Sequence, residues 1–240
     1  MNLSAHPSPS SGEKTRSSGF SLVELIVALT LFGLVMAGAL PFLLQSMNTY
    51  SYDTGKLFVN RDIRTFTSEM TDNATYANYF LIFPSFTNRS TTTIVNGVSV
   101  TTDSSVNDGL SGDLLVLVFK DDTINPDGTT NDNKVSRLVG YYRDPADPTS
   151  TTSQGPVRTF DITISPSSSA AVWTLLPDVS TMHTNTVVFQ LSVGLANHLL
   201  FYNYYNRSIM VKGQIFEAVS LTRGLGSATN TYNFTVSPRG

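Results

Sequence analysis

Apolar positions dominate the start of the chain and predict a membrane-spanning helix. Glu24 is the only formally charged residue in 20–44. As a helix this run would extend about 37 Å, which exceeds the roughly 30 Å of bilayer hydrocarbon and permits one tilted span. Lys14 and Arg16 precede the run. The positive-inside tendency therefore leaves residues 1–19 in the cytoplasm and everything after the span outside.

A second helical pattern occupies residues 45–75. Its apolar positions recur at spacings of four, three and four residues and form one stripe, made of Val59, Ile63, Phe66 and Met70. We expect this distal half of a long helix to pack its stripe on the domain behind it. The weak helix formers at 48–55 predict a bend or a frayed turn between the two halves. Asp72-Asn73 predicts the end of the helix.

Strand patterns dominate from Tyr79 onward. Asn96-Gly97 separates two β-branched runs, which is the sequence signature of a tight hairpin. Residues 113–120 (DLLVLVFK) form a nearly continuous apolar run and predict a strand buried on both faces. Further strands are predicted at 134–143, 157–164, 171–176, 185–193, 197–205, 208–211, 214–221 and 231–236.

These elements predict an α+β fold with a β-rich globular domain over residues 76–240. We expect four to seven of the strands to form one main antiparallel sheet, with the N-terminal helix across one face. The Pro-, Ser- and Thr-rich stretches at 144–155 and 165–169 predict exposed, mobile connections.

Composition narrows the possible functions of the 240-residue chain. A net charge of −3 without any basic cluster argues against a nucleic-acid partner. The chain has no cysteine, which excludes disulfides and thiolate chemistry. His183 and His198 lack further ligands or an H-E-x-x-H motif, His6 precedes the apolar run, and no G-x-S-x-G occurs. We therefore predict that the protein is not an enzyme.

Three further segments have two interpretations each. Residues 120–134 gather Asp121, Asp122, Asn125 and Asp127, which are oxygen ligands of the kind calcium prefers. Thr123 and Lys134 break the EF-hand pattern, so a solvated turn around Pro126-Asp127-Gly128 is favoured over a metal site.

The aromatic segment 201–206 (FYNYYN) is either a binding patch for a partner or a carbohydrate, or a strand with Phe201 inward and its tyrosines at the sheet margin. We favour the strand. Gly224-Leu225-Gly226 imitates part of a phosphate loop, but no apolar helical run follows it, so a turn is predicted.

The charge of Glu24 separates three interpretations of the apolar run. An ordinary signal peptide would be cut after the A-x-A-like residues 37–39, but Glu24 inside the apolar core and Pro41 just beyond the cut argue against it. A plain membrane anchor gives no reason for a carboxylate in hydrocarbon, where an unpaired one costs several kcal/mol. The third interpretation accounts for it.

Residues 19–25 (GFSLVEL) resemble the cleavage and methylation motif of type IV pilins and of the pseudopilins of type II secretion. The resemblance implies that a prepilin peptidase cuts after Gly19 and that Phe20 becomes the N-methylated first residue. Gly33 and Pro41 fall where major pilins often carry these residues. The resemblance covers residues 18–41 and implies a pilin-like fold without cofactors, although some pseudopilin domains bind calcium.

The resemblance also implies a role for Glu24 in assembly. In these filaments the glutamate pairs with the N-terminal amine of a neighbouring subunit, so we expect the carboxylate to be poorly satisfied in a lone subunit and satisfied on docking. Because desolvation offsets much of the Coulomb energy, such a pair specifies register more than stability.

The implied partners are the prepilin peptidase, other pilin or pseudopilin subunits, the inner-membrane assembly machinery and the membrane itself. In its length and in lacking a C-terminal cysteine pair, the chain resembles a larger minor pilin or minor pseudopilin more than a major pilin. The implied location is the inner membrane, followed by a filament in the periplasm or at the cell surface. The alternative is a secreted or anchored binding module that ordinary signal peptidase processes.

Overall fold

The computed structural model describes residues 19, 21–125, 127, 129–131, 133–150, 153–217 and 228–239. The chain divides into two compact units, with the boundary between Met47 and Asn48.

The long predicted helix, α1, runs without interruption from Leu22 to Tyr76. The predicted frayed turn at 48–55 is wrong, because these weak helix formers are helical; the alternative, a bend, stays a prediction. The helix also continues through Pro41, although proline has no backbone N–H to donate. The helix also ends later than Asp72-Asn73. Asn73 does not terminate it, since its side-chain amide donates to the Tyr141 hydroxyl at 2.9 Å and so serves a tertiary contact.

Eleven strands and one short helix follow in the described part of the chain. The strands are Tyr79–Phe83 (β1), Ser90–Val95 (β2), Val98–Asp103 (β3), Ser111–Gly112 (β4), Leu114–Lys120 (β5), Val135–Arg143 (β6), Gly155–Ser168 (β7), Thr186–Gly194 (β8), Phe201–Tyr204 (β9), Ser208–Glu217 (β10) and Ala228–Val236 (β11). The helix α2 covers Val172–Leu175, and a 3-10 turn covers Val179–Thr181.

Nine of these strands form one antiparallel sheet, in the order β1-β5-β6-β7-β8-β10-β9-β4. Strand β10 pairs with β9 through its first half and with β8 through its second half, while β11 covers its other edge. The sheet is larger than the four to seven strands predicted. The two-residue β4 is below the length at which a hydrophobic pattern identifies a strand, whereas β9 lies within the strand predicted at 197–205.

The hairpin prediction at Asn96-Gly97 is confirmed. Strands β2 and β3 pair in full register from Ser90 with Asp103 to Val95 with Val98. Asn96 and Gly97 both have positive φ, 51° and 80°, as the favoured two-residue hairpin turn requires. The two strands form a separate sheet, and their side chains are largely exposed.

Both faces of the large sheet are buried around β5, as its continuous apolar run predicts. Leu115 and Leu117 point to the helix-side core, which also holds Val59, Phe66 and Met70 of α1. This confirms that the distal half of α1 packs its stripe on the sheet.

The alternate β5 residues Leu114, Val116 and Val118 point to a second core on the opposite face. The segment after β7 covers this face, and Val172 and Leu176 are buried there.

Two local predictions in this region are wrong. Residues 171–176 were expected to form a strand, but they contain the single helical turn α2, which buries Val172, followed by the extended and also buried Leu176. Residues 165–169 were expected to form a loop, but β7 extends to Ser168, which pairs with Val135. Tertiary pairing overrides the turn propensity of this stretch.

Candidate functional site

The candidate site is the beginning of α1, where the predicted cleavage point and the charged residue lie. Gly19 is exposed, and Phe20 lies outside the described residues. Ser21 immediately precedes the first helical residue, Leu22, and its carbonyl oxygen accepts a hydrogen bond from the backbone N–H of Leu25 at 3.2 Å. Ser21 is therefore the N-cap of the helix.

Glu24 and Ser21 form a reciprocal capping box. The backbone N–H of Glu24 donates to the Ser21 hydroxyl at 3.3 Å, and the backbone N–H of Ser21 donates to Glu24 Oε2 at 3.0 Å. Two backbone donors that a helix start leaves without partners are thereby satisfied. The positive end of the helix dipole also favours a carboxylate in the first turn.

The capping box changes the expectation for a lone subunit. Glu24 was expected to be poorly satisfied before docking, yet one of its oxygens already accepts a hydrogen bond from its own chain. Its other oxygen, Oε1, accepts none from the residues that the structure describes. The carboxylate is thus oriented by the helix start, and one of its oxygens is still available.

The part of α1 that follows the capping box has an exposed apolar surface. The large apolar side chains of α1 from Leu22 to Met47 are exposed, including Phe32 and Phe42. The helix is long and apolar enough to cross a membrane. A Cβ atom added at Gly33 would meet nothing within 4 Å, so packing within this chain does not require glycine there.

The acidic loop does not assemble its candidate ligands into one site. Asp121 accepts hydrogen bonds from Ser167 and Thr123, and Asp127 accepts two from Thr129. These hydrogen bonds lower the pKa of both carboxyl groups. Asp122 is exposed.

Asn125 pairs with Thr129 and Asn131 instead of pointing toward the aspartates. No group of three or more His, Asp or Glu side chains that could hold a metal occurs among the described residues. The preference for a solvated turn over a calcium site stays a prediction.

The buried charges of the β-rich domain form ion pairs. Arg143, 1% exposed, contacts Asp113 at 3.3 Å, and Asp113 also accepts the backbone N–H of Leu200 at 2.9 Å. Burial raises the pKa of Asp113, against the effect of Arg143. His183 contacts the Asp144 carboxylate at 3.0 Å from an exposed position. The Asp113 contacts connect the end of β6 to two loops, and the His183–Asp144 contact connects two loops, so these charges hold the connections of the domain in place.

The aromatic segment follows the favoured interpretation. Phe201 is fully buried in β9, whereas Tyr204 and Tyr205 are exposed at the end of the strand. The turn predicted at 224–226 and the histidine at position 6 lie outside the described residues.

Sequence analysis missed Ser21 as a functional residue. The S-x-x-E spacing of Ser21 and Glu24 is the signature of a capping box before an apolar run, so the signal was present. The same glutamate is also part of the cleavage motif, so its spacing from Ser21 has two possible explanations in the sequence.

Comparison with known proteins identifies one motif. The family model of the prokaryotic N-terminal methylation motif matches residues 14–40, and this motif is the signature of type IV pilins and pseudopilins. No curated protein and no solved structure matches the chain. The motif indicates a pilin-type structural precursor, and it implies processing by prepilin peptidase and assembly with other pilin subunits.

Proposed function

We propose, from the methylation motif and the exposed apolar half of α1, that the chain is the precursor of a minor structural subunit of a type IV pilus or a type II secretion pseudopilus. One observation supports the proposal above all others. The methylation motif coincides with a capped helix start and with an apolar surface that the rest of the described chain does not cover. In this proposal the chain crosses the inner membrane once, with the β-rich domain outside.

Processing would create the positively charged amine that pairs with Glu24. Prepilin peptidase would hydrolyse the peptide bond between Gly19 and Phe20, and the new amine of Phe20 would be methylated. The amine of one subunit would then pair with Glu24 of its neighbour. The capping box supports this role because it orients the carboxylate through Oε2 and leaves Oε1 for the incoming cation.

The proposal that the subunit is minor rests on the size of the exported part. The β-rich domain adds a nine-stranded sheet with two cores and a protruding hairpin to the helix. By the family resemblance, a chain of this size is more like a larger minor subunit near the filament tip than a small repeating major subunit.

Mass spectrometry of the mature N-terminus tests the proposal against ordinary secretion. We expect a chain that begins with N-methylated Phe20, and we expect the uncut precursor in cells without prepilin peptidase. A chain that begins at Leu40 in both kinds of cell would show signal-peptidase processing and would overturn the proposal.

A further inference from the structure

A pocket of about 430 Å³ lies on the β-rich domain. One wall is the loop that leads into β2 and contributes Thr87, Arg89 and Ser90. The other wall is the segment from α2 to the 3-10 turn and contributes Trp173 and Asp178. Its volume falls in the range of small-molecule sites.

Trp173 gives the pocket an aromatic wall on a fixed support. It is the only tryptophan in the chain, it is half-buried, and it packs against the second core, which holds Val172 and Leu176. An indole offers a broad apolar face with little conformational freedom to lose on binding.

Arg89 is held in place beside this wall. Its guanidinium donates to the carbonyl oxygen of Pro177 at 2.6 Å and lies over the Phe86 ring, 5.3 Å from the ring centroid. Its remaining N–H groups have no other hydrogen-bond partner, and no carboxylate within ion-pair distance, among the residues that the structure describes. The side chain therefore offers oriented donors.

Asp178 supplies acceptors at the same pocket. Its carboxylate caps the 3-10 turn by accepting the backbone N–H of Ser180 at 2.8 Å. The hydrogen bonds from Ser180 lower the pKa of Asp178, so it is ionised at neutral pH. A carboxylate has about four acceptor positions, and Ser180 does not occupy all of them.

We propose that this pocket binds a pyranose ring of a glycan. A sugar ring presents an apolar C–H face, which matches the indole of Trp173, and a hydroxyl edge that both donates and accepts hydrogen bonds. Arg89 would donate to that edge, and Asp178 would accept from it. The nearby Asp178 charge disfavours a phosphate or carboxylate ligand, which Arg89 alone would attract.

The single tryptophan allows binding to be observed at the pocket itself. The full chain, in a zwitterionic detergent without a sugar headgroup, would be titrated with methyl β-glucoside, methyl β-galactoside and N-acetylglucosamine. Sorbitol serves as the acyclic polyol control. We expect at least one pyranose to bind with a dissociation constant of the order of 1 mM. It should change tryptophan fluorescence saturably and give a saturation-transfer NMR signal, whereas sorbitol should do neither.

Two substitutions locate the site. Asp178→Asn keeps a capping side chain but weakens the acceptor, so we expect binding to be at least about tenfold weaker. Asp147→Asn is the matched control, because Asp147 accepts the backbone N–H of Thr149 in the same way and lies outside the pocket. It should bind like the parent chain.

Three results would overturn the proposal. The first is no saturable signal from any pyranose up to about 50 mM, some fifty times the expected dissociation constant. The second is equal binding by Asp178→Asn and Asp147→Asn, provided that both unfold at the same denaturant concentration as the parent. The third is equal binding of sorbitol.

Discussion

The two halves of α1 share one helix but differ in what covers their apolar side chains. In the proximal half, 22–47, large apolar residues are exposed, from Leu22 at 75% to Met47 at 67%. In the distal half, 48–76, the buried residues form one stripe: Gly55, Val59, Phe66, Met70 and Ala74. The same backbone conformation therefore carries two different surfaces.

This difference assigns the two halves to different tasks. Burial against the sheet stabilises the distal half within the chain, by roughly 25 cal/mol per Å² of apolar surface. The proximal half gains no such burial from the described residues, and in the proposed function lipid or the helices of other subunits would cover it. Substitutions in the distal half should act on folding, and those in the proximal half should act on assembly.

The largest expected effect is the loss of Phe66. Its ring is fully buried and meets the rings of Tyr141 and Phe189 at 5.4 and 5.0 Å between centroids. Phe66→Ala should lower the free energy of unfolding of the β-rich domain by about 3–5 kcal/mol. Phe42→Ala, a residue 71% exposed in the proximal half, should change it by less than about 0.5 kcal/mol.

Chemical denaturation of the full chain in detergent micelles, followed by near-UV circular dichroism, measures both variants. Equal losses for Phe66→Ala and Phe42→Ala would contradict the division of the helix.

The next effect is a loss of stability at high pH. Tyr232 is buried against α1, where its hydroxyl lies 2.8 Å from the Thr67 hydroxyl, and burial raises its pKa from 10.0 to about 12. The unfolded chain therefore loses this proton at a lower pH than the folded chain. The contribution of Tyr232 to the free energy of unfolding is complete below pH 10 and declines as the pH rises to about 12. The expected loss is on the order of 2 kcal/mol.

Denaturation curves at pH 8 to 12 would show this decline. Tyr232→Phe removes one titrating group and should make the decline between pH 10 and 12 shallower; some decline should persist, because burial also raises the pKa of Tyr141 and Tyr142. An unchanged slope in that variant would assign the decline to other groups.

The effect on assembly is expected at Glu24. Glu24→Ala removes the carboxylate that would pair with the amine of a neighbour, so we expect cleavage to continue while incorporation into filaments falls about tenfold. Asp53→Ala removes an exposed charge from the distal half of the same helix and should leave incorporation unchanged. Quantitative immunoblotting of sheared filaments against whole cells measures both.

Normal assembly of Glu24→Ala would show that the charge pair is not needed. Equal defects in both variants would show a general requirement for acidic charge on the helix.

The smallest effect concerns the helix cap. Ser21→Ala removes the hydroxyl that accepts the Glu24 N–H, which should destabilise the first turn of α1 by about 1 kcal/mol. Amide hydrogen exchange should accelerate at residues 22–25, with a smaller assembly defect than for Glu24→Ala. Ser46→Ala, further along the exposed half, should change neither. Unaltered exchange in Ser21→Ala would mean that the capping box is not formed in the membrane.

Much of the fold could be predicted because single segments carried the physical signal. The spacing of Val59, Phe66 and Met70 is visible without any partner, and so is the positive-φ turn at Asn96-Gly97. The continuous apolar run of β5 indicates burial on both faces without reference to the layers that cover them. The extension of β7 to Ser168 was not predictable in this way, because it depends on pairing with Val135, far earlier in the chain.

The candidate site was predictable from local sequence, but its geometry was not. The motif around Gly19 and Glu24 identifies where processing and assembly are expected, whereas the reciprocal hydrogen bonds with Ser21 appear only with the backbone in place. The pocket around Trp173 has no sequence signature, since its two walls are more than eighty residues apart.

The sequence by itself determined the processing motif, the apolar span, the distal helical stripe and the α+β class, because each depends on neighbours within a few turns or strands. Only the tertiary structure decided the nine-strand order, the second core beneath α2 and the pocket that Arg89 and Asp178 both line. These features require distant segments to bury surface against one another. The free energy of that burial depends on the whole packed arrangement and on no single stretch of the chain.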